Sequence, residues 1–191
     1  MRYFILASLV CAALAAVAAC GPPLGLPGAF ITNKVDSAVS LYALTGTPVS
    51  QPSGYSIGAG QVVRTEQGMP FDFAFDIDTA GRAVLLPTGA LKLGRQSGLQ
   101  SSAVDFDSIK IAPTGGYNLD SAQVVGVDSV VILHSSGVTC SFNLPAFYYA
   151  KLRVVAIDTS STSGNGRRIV FDILNDHNCG YRGLEPGLPK H

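Results

Sequence analysis

Phe71, Phe73, Phe75 and Ile77 alternate with Asp72, Ala74, Asp76 and Asp78. A period of two places the two sets on opposite faces of an extended chain. The stretch 71–77 therefore predicts a half-buried strand with carboxylates on its wet side. Asp78-Thr79-Ala80-Gly81 reads as a turn into a second strand over 82–86, which makes a hairpin. Val104 and Phe106 share one parity and Ile109 and Ile111 the other, so a bulge or break near Ser108 is expected to restore a common face. Short apolar strands are expected at 59–64, 130–133, 152–157 and 168–174, the last two closed into a long hairpin by Gly164-Asn165-Gly166. Beyond residue 20 no dozen residues keep a 3.6-residue apolar stripe, and Gly, Pro, Ser and Thr interrupt every attempt. The expectation is an all-β antiparallel sandwich or barrel-like domain.

The first residues follow a different rule. Arg2 precedes an unbroken apolar run over 4–16, and Val17-Ala18-Ala19 places small side chains directly before Cys20. This is the layout of a secretory signal helix, and the last four residues resemble a bacterial lipobox, in which the cysteine thiol takes a diacylglycerol. An ordinary cleaved signal and an uncleaved anchor compete with that reading. The run is short for a span, which needs about 20 apolar residues. The sequence then divides into a lipoprotein signal peptide (1–19), a tether (20–29) broken by three prolines, a β-rich domain (30–182) and a tail (183–191) broken by Pro186, Gly187 and Pro189, expected to be loose.

Charge narrows the partners. Lys and Arg equal Asp and Glu at 13 each, and charged residues make up 14% of the chain. That balance offers no footprint for nucleic acid. Of the four cysteines, Cys11 leaves with the signal and Cys20 is the acylation point. Cys140 and Cys179 remain. In an oxidising compartment they are expected to form a disulfide, with two buried thiols as the alternative; neither has zinc-site spacing.

Candidate chemistry is sparse. Gly54-Tyr55-Ser56-Ile57-Gly58 matches the GxSxG elbow, but Pro48 and Pro52 precede it and no helix pattern follows, so Ser56 reads as a loop serine and no catalytic residue is assigned. The stretch 76–81 begins like a calcium loop, yet Ala80 stands at a ligand position and Pro87 where a bidentate Glu is needed. His177, within Asn175-Asp176-His177-Asn178, reads as part of an Asx-capped turn, and His191 is terminal. His134 ends an apolar strand and reads as a half-exposed strand-end residue. Imidazole there also suits metal or haem ligation.

Three segments in order carry a resemblance. Phe71-Asp72-Phe73-Ala74-Phe75, the glycines Gly89, Gly94 and Gly98, and Tyr149-Ala150-Lys151-Leu152-Arg153-Val154 with its partner strand at 168–174 resemble the HmuY-type haem-binding lipoproteins over about 71–174. Phe71 stands where the family has Trp, and only His134 lies in the interval that holds the family's His or Met ligands. The resemblance implies an all-β, lipid-anchored surface protein. It makes His134 the candidate haem ligand and Phe73, Phe75, Tyr148 and Tyr149 candidate pocket aromatics, unless they are ordinary core.

Together these readings give a non-enzymatic lipoprotein of the bacterial cell envelope. It would be held to a membrane through Cys20, face the periplasm or the exterior, and bind haem or another apolar small molecule. A structural or protein-interaction lipoprotein without a small ligand is the alternative.

Overall fold

Among the described residues twelve short stretches form strands, and antiparallel pairing closes ten of them into two facing sheets. The structure, a computed structural model, describes residues 30–94, 96–140, 143–160 and 166–189. The signal, the tether with Cys20, residues 164 and 165 of the expected turn, and His191 lie outside the described residues.

In chain order the strands are β1 (Val35–Tyr42), β2 (Gly54–Ser56), β3 (Gln61–Val63), β4 (Phe73–Ile77), β5 (Ala83–Pro87), β6 (Gly98–Ser102), β7 (Gln123–Val124), β8 (Val130–His134), β9 (Val138–Thr139), β10 (Pro145–Ala146), β11 (Tyr149–Asp158) and β12 (Arg168–Asp176). One five-stranded sheet runs β1-β12-β11-β8-β6 and the other β3-β2-β4-β5-β7, while β9 and β10 form a separate hairpin. Their inner faces make the main core. Leu99, Val131, Leu133, Leu152 and Phe171 of the first sheet meet Tyr55, Phe73, Phe75 and Leu85 of the second. The all-β antiparallel expectation holds, in its sandwich form.

The expected hairpin β4–β5 is present, with Phe75 opposite Leu85. Asp78 builds its turn: Oδ1 accepts from the amides of Ala80 at 2.9 Å and Arg82 at 2.8 Å, and Oδ2 from Arg82 Nε at 2.8 Å. The β11–β12 pairing is likewise formed, from Tyr149 opposite Asp176 to Asp158 opposite Arg168.

Four readings change. Phe71 does not continue the inner face of β4; it packs outside the second sheet with Val63 and Ala74. Asp72 is buried rather than wet, accepting 2.8 Å bonds from Ile57 N and Ser136 N. The 104–111 stretch breaks near Ser108 rather than bulging, and its two parities do not regain one common face. Phe106–Ser108 is a 3-10 turn, with Phe106 and Ile109 buried and Val104 and Ile111 exposed. Ser56 lies on β2, buried, not in a loop.

The outer face of the first sheet is covered as well. Phe106, Ile109, Ala112 and Leu184 pack over Val130, Ile132 and Leu174. This cover pins the segment expected to be a loose tail. Leu184 is wholly buried and its amide donates to Lys110 O at 2.8 Å, while Asn33 and Gly187 exchange backbone bonds of 2.8 and 2.9 Å. Lys151 is trapped beneath it. Its Nζ donates to the carbonyls of Phe106 at 2.6 Å and Ile109 at 2.9 Å, and lies 4.5 Å from the Phe106 ring centre. Burial depresses its affinity for the proton, against the pull of Asp107 and Glu185.

The expected disulfide joins Cys140 and Cys179, with Cα atoms 5.8 Å apart. It ties the β9–β10 hairpin to the segment after β12.

Candidate functional site

His134 is the last residue of β8, on the outer face with Val130 and Ile132, so its ring stands over the first sheet rather than in the main core. In register it sits opposite Gly98 of β6 and Tyr149 of β11. The missing side chain at Gly98 gives the ring its room. A Cβ there would come 2.3 Å from Nε2, 2.7 Å from Cδ2 and 2.7 Å from the Tyr117 Cβ. Tyr117 and Phe147 flank the imidazole with ring centres 4.5 Å away, and Tyr149 stands at 6.4 Å. The strand-end histidine is thus buried, at 8% exposure, instead of half-exposed.

Its protonation state follows from its contacts. Nδ1 lies 2.8 Å from Ser135 O. A carbonyl can only accept, so Nδ1 carries the proton and Nε2 of the neutral ring keeps a lone pair. Among the described residues Nε2 is engaged in no hydrogen bond. Burial pushes the ring's pKa below its ordinary value, outweighing the Ser135 bond and the field of Asp72. Burial also raises the pKa values of Tyr117 and Tyr149, which keeps both phenols protonated.

Around this ring lies a cavity of about 540 Å³. Phe147 and Tyr149 form one side, Tyr117 and Leu119 another, and Gly94, Gly115 and Gly116 bring backbone to its edge. No described lining residue is charged. Its walls are fixed from several directions. Thr88 and Ser97 exchange bonds of 3.1 and 3.0 Å across the loop that carries Gly94 and Gln96. Tyr117 donates from its hydroxyl to Pro113 O at 3.0 Å. Ser135 Oγ accepts from Tyr148 N at 2.9 Å, holding the turn after β8 against the approach to β11. The cavity has the size and the mostly apolar lining of small-molecule sites.

Two other cavities differ in chemistry. One of about 310 Å³ shares Gly137 but is lined by Ser56, Asp72, Ser135, Ser136 and Tyr148. Another of about 540 Å³ lies at the β1–β3 seam, between Lys34, Asp36, Tyr55, Gln61 and His177. Of the three, the His134 cavity alone combines aromatic walls with a lining that holds no charged side chain among the described residues.

The residues singled out in the sequence separate accordingly. His134 and Tyr149 are brought together. Phe73 and Phe75 are wholly buried core, and Tyr148 packs against that core while facing the smaller cavity. Ser56 Oγ meets no histidine among the described residues. His177 lines a different cavity from His134, its Nδ1 3.3 Å from Gly58 O. No group of three or more His, Cys, Asp or Glu side chains that could hold a metal ion occurs among the described residues. Tyr117, Phe147 and Gly98 were missed. They come from loops and strand ends, and the signal available was the pair Gly115-Gly116 directly before an aromatic residue.

Fold and site together describe an antiparallel β-sandwich with an aromatic-walled cavity at an end of one sheet, its described lining without a charged side chain. Compared with protein-family models and with characterised proteins, the chain matches none.

Proposed function

We propose that this chain is an exported, non-enzymatic binding protein of the bacterial cell envelope. In this reading it is acylated at Cys20, and its sandwich captures a flat, apolar small molecule in the His134 cavity. The carrying observation is the neutral, oriented imidazole. Its Nδ1–H is bound to Ser135 O, its Nε2 is unengaged among the described residues, and aromatic rings flank it in a cavity whose described lining carries no charge. A hydrogen-bonded Nδ1–H is the usual support for an imidazole that ligates through Nε2. Haem is therefore the first molecule to test, with His134 as its one histidine ligand and Tyr117, Phe147 and Tyr149 as the surfaces against its ring. The cavity favours this reading over an envelope module without a ligand, which would need a flat apolar patch in its place.

Titration of the oxidised, purified protein with haemin tests it. A sharpened and shifted Soret band is expected at stoichiometric haemin and is expected to be lost in His134→Ala. An unchanged shift in His134→Ala would remove the ligand. Binding of neither haemin nor an uncharged naphthylamine dye would remove the small-molecule reading.

A further inference from the structure

The antiparallel order of the first sheet brings five chain ends to one side. The start of β1, the end of β12, the start of β11, the end of β8 and the start of β6 are in register through Val35–Leu174, Tyr149–Asp176, Tyr149–His134 and Gly98–His134. The cavity opens at this end. The segment leading into β1 is fastened at this end too. Ile31 N donates to Asn178 Oδ1 at 2.8 Å, and the Phe30 ring meets the Tyr181 ring at 5.0 Å. Gly180 N, next to Tyr181, donates to Phe147 O at 3.1 Å. A continuous line of contacts therefore runs from the cavity wall to the point where the preceding 29 residues join the domain.

That line is apolar and exposed. Phe30 (46%), Ile31 (52%), Leu144 (62%) and Leu188 (60%) present large hydrophobic side chains to solvent on the same end as Phe147. The opposite end exposes Val49 (77%), Val104 (51%) and Val127 (57%), so exposed apolar area alone does not choose between the ends; what sets the Phe30 end apart is the cavity beside it and the chain that enters there.

We infer that this apolar end of the sandwich rests on the lipid bilayer, with the mouth of the His134 cavity facing the membrane. The inference rests on the lipid-anchored reading above and extends it by naming the orientation and the source of the ligand. Cys20 and Phe30 are ten residues apart. Such a length of chain reaches at most about 35 Å. It therefore brings the Phe30 end of the domain to the surface first. Exposed aromatic and aliphatic side chains are stabilised by burial in the headgroup–acyl boundary. The ligand would then be a molecule that partitions into the bilayer and enters the cavity without crossing water.

The chain contains no Trp, so one inserted residue reports cleanly. The full acylated chain, carrying either Leu144→Trp or Val49→Trp, is reconstituted in phosphatidylcholine vesicles with brominated acyl chains. Most of the Leu144→Trp fluorescence is expected to be lost relative to unbrominated vesicles, while Val49→Trp keeps its emission. Leu188→Trp reports the same face if Leu144→Trp does not fold. Flotation of the protein with vesicles and no quenching at either reporter would overturn the orientation and leave the anchor standing. Failure of the unsubstituted chain to float would overturn both.

Discussion

Gly98 and His134 form a pair in which one residue is defined by what it lacks. The imidazole crosses onto β6 because no Cβ stands there. Gly98→Ala is expected to cost about 1–3 kcal/mol through overpacking against His134 and Tyr117, and to abolish ligand binding with the remainder of the fold intact. Urea unfolding beside the haemin titration checks both effects. His134 also gives the protein an acid-side weakness. Its folded pKa lies below the ordinary value of 6.5 because burial disfavours the charged ring. Between 6.5 and that lower value the unfolded chain binds more protons, so stability falls as the pH is lowered through this window. His134→Phe is expected to remove that part of the loss, seen as a smaller drop in urea midpoint between pH 7 and pH 5. Asp176 acts in the opposite sense. It is wholly buried, Oδ2 has no hydrogen-bond partner among the described residues, and burial raises its pKa. Its folded form gains a proton earlier on acidification, which opposes the His134 effect and makes the single-residue comparison necessary. Lys151 supplies a structural reason for a lysine in the Tyr149-Ala150-Lys151 segment: its ammonium closes the carbonyl end of the 106–109 turn.

Among the elements, the β9–β10 hairpin depends most on an outside restraint. It has only two residues per strand, paired as Pro145–Thr139 and Ala146–Val138, and a hairpin that short is marginal alone. It nevertheless leads into Phe147, which forms a wall of the cavity. The Cys140–Cys179 bridge, with a sequence separation of 39, secures it to the segment that also holds Phe30. In the chain-entropy account such a loop contributes about 4 kcal/mol. Replacing both cysteines by serine is expected to lower stability by up to that amount. Amide exchange should rise first at Cys140→Ser N and Gly180 N, while the β11–β12 ladder stays protected. Hydrogen exchange with mass detection checks the order, and uniform loosening across the sandwich would contradict it. The β1 strand shows a different device. Its pairing with β12 slips between Asp36 and Val39, where Ala38 takes a left-handed φ of 57° and donates its amide to Asp172 Oδ1 at 3.1 Å. Asp172 is held in turn by Arg153 at 2.9 Å, which also keeps its carboxyl below the usual range despite partial burial.

Over the whole molecule, the site belongs to the larger of the two outer apolar layers, the one over the first sheet. The main core lies between the sheets, whereas His134 belongs to the outer layer closed by 103–117 and 183–189. Strands with a strong local signal were legible in the sequence: β4 from its alternation, and β5, β8, β11 and β12 from short apolar runs and turn residues. The disulfide followed from two remaining cysteines and the expected compartment. Phe71 and Asp72 were misplaced because a parity rule holds only while the strand lasts, and β4 begins at Phe73. The 183–189 segment was misjudged because Pro and Gly exclude regular structure without excluding packing. Leu184 is held by burial and by backbone bonds to residues far away in sequence. Period, turn chemistry and cysteine count are local properties, so the chain alone determined an antiparallel β-domain, its main hairpins and its bridge. The meeting of Gly98, Tyr117, His134, Phe147 and Tyr149 depends on register between strands and on loops folded over a sheet. Those are long-range choices made by packing, and only the tertiary structure decided them.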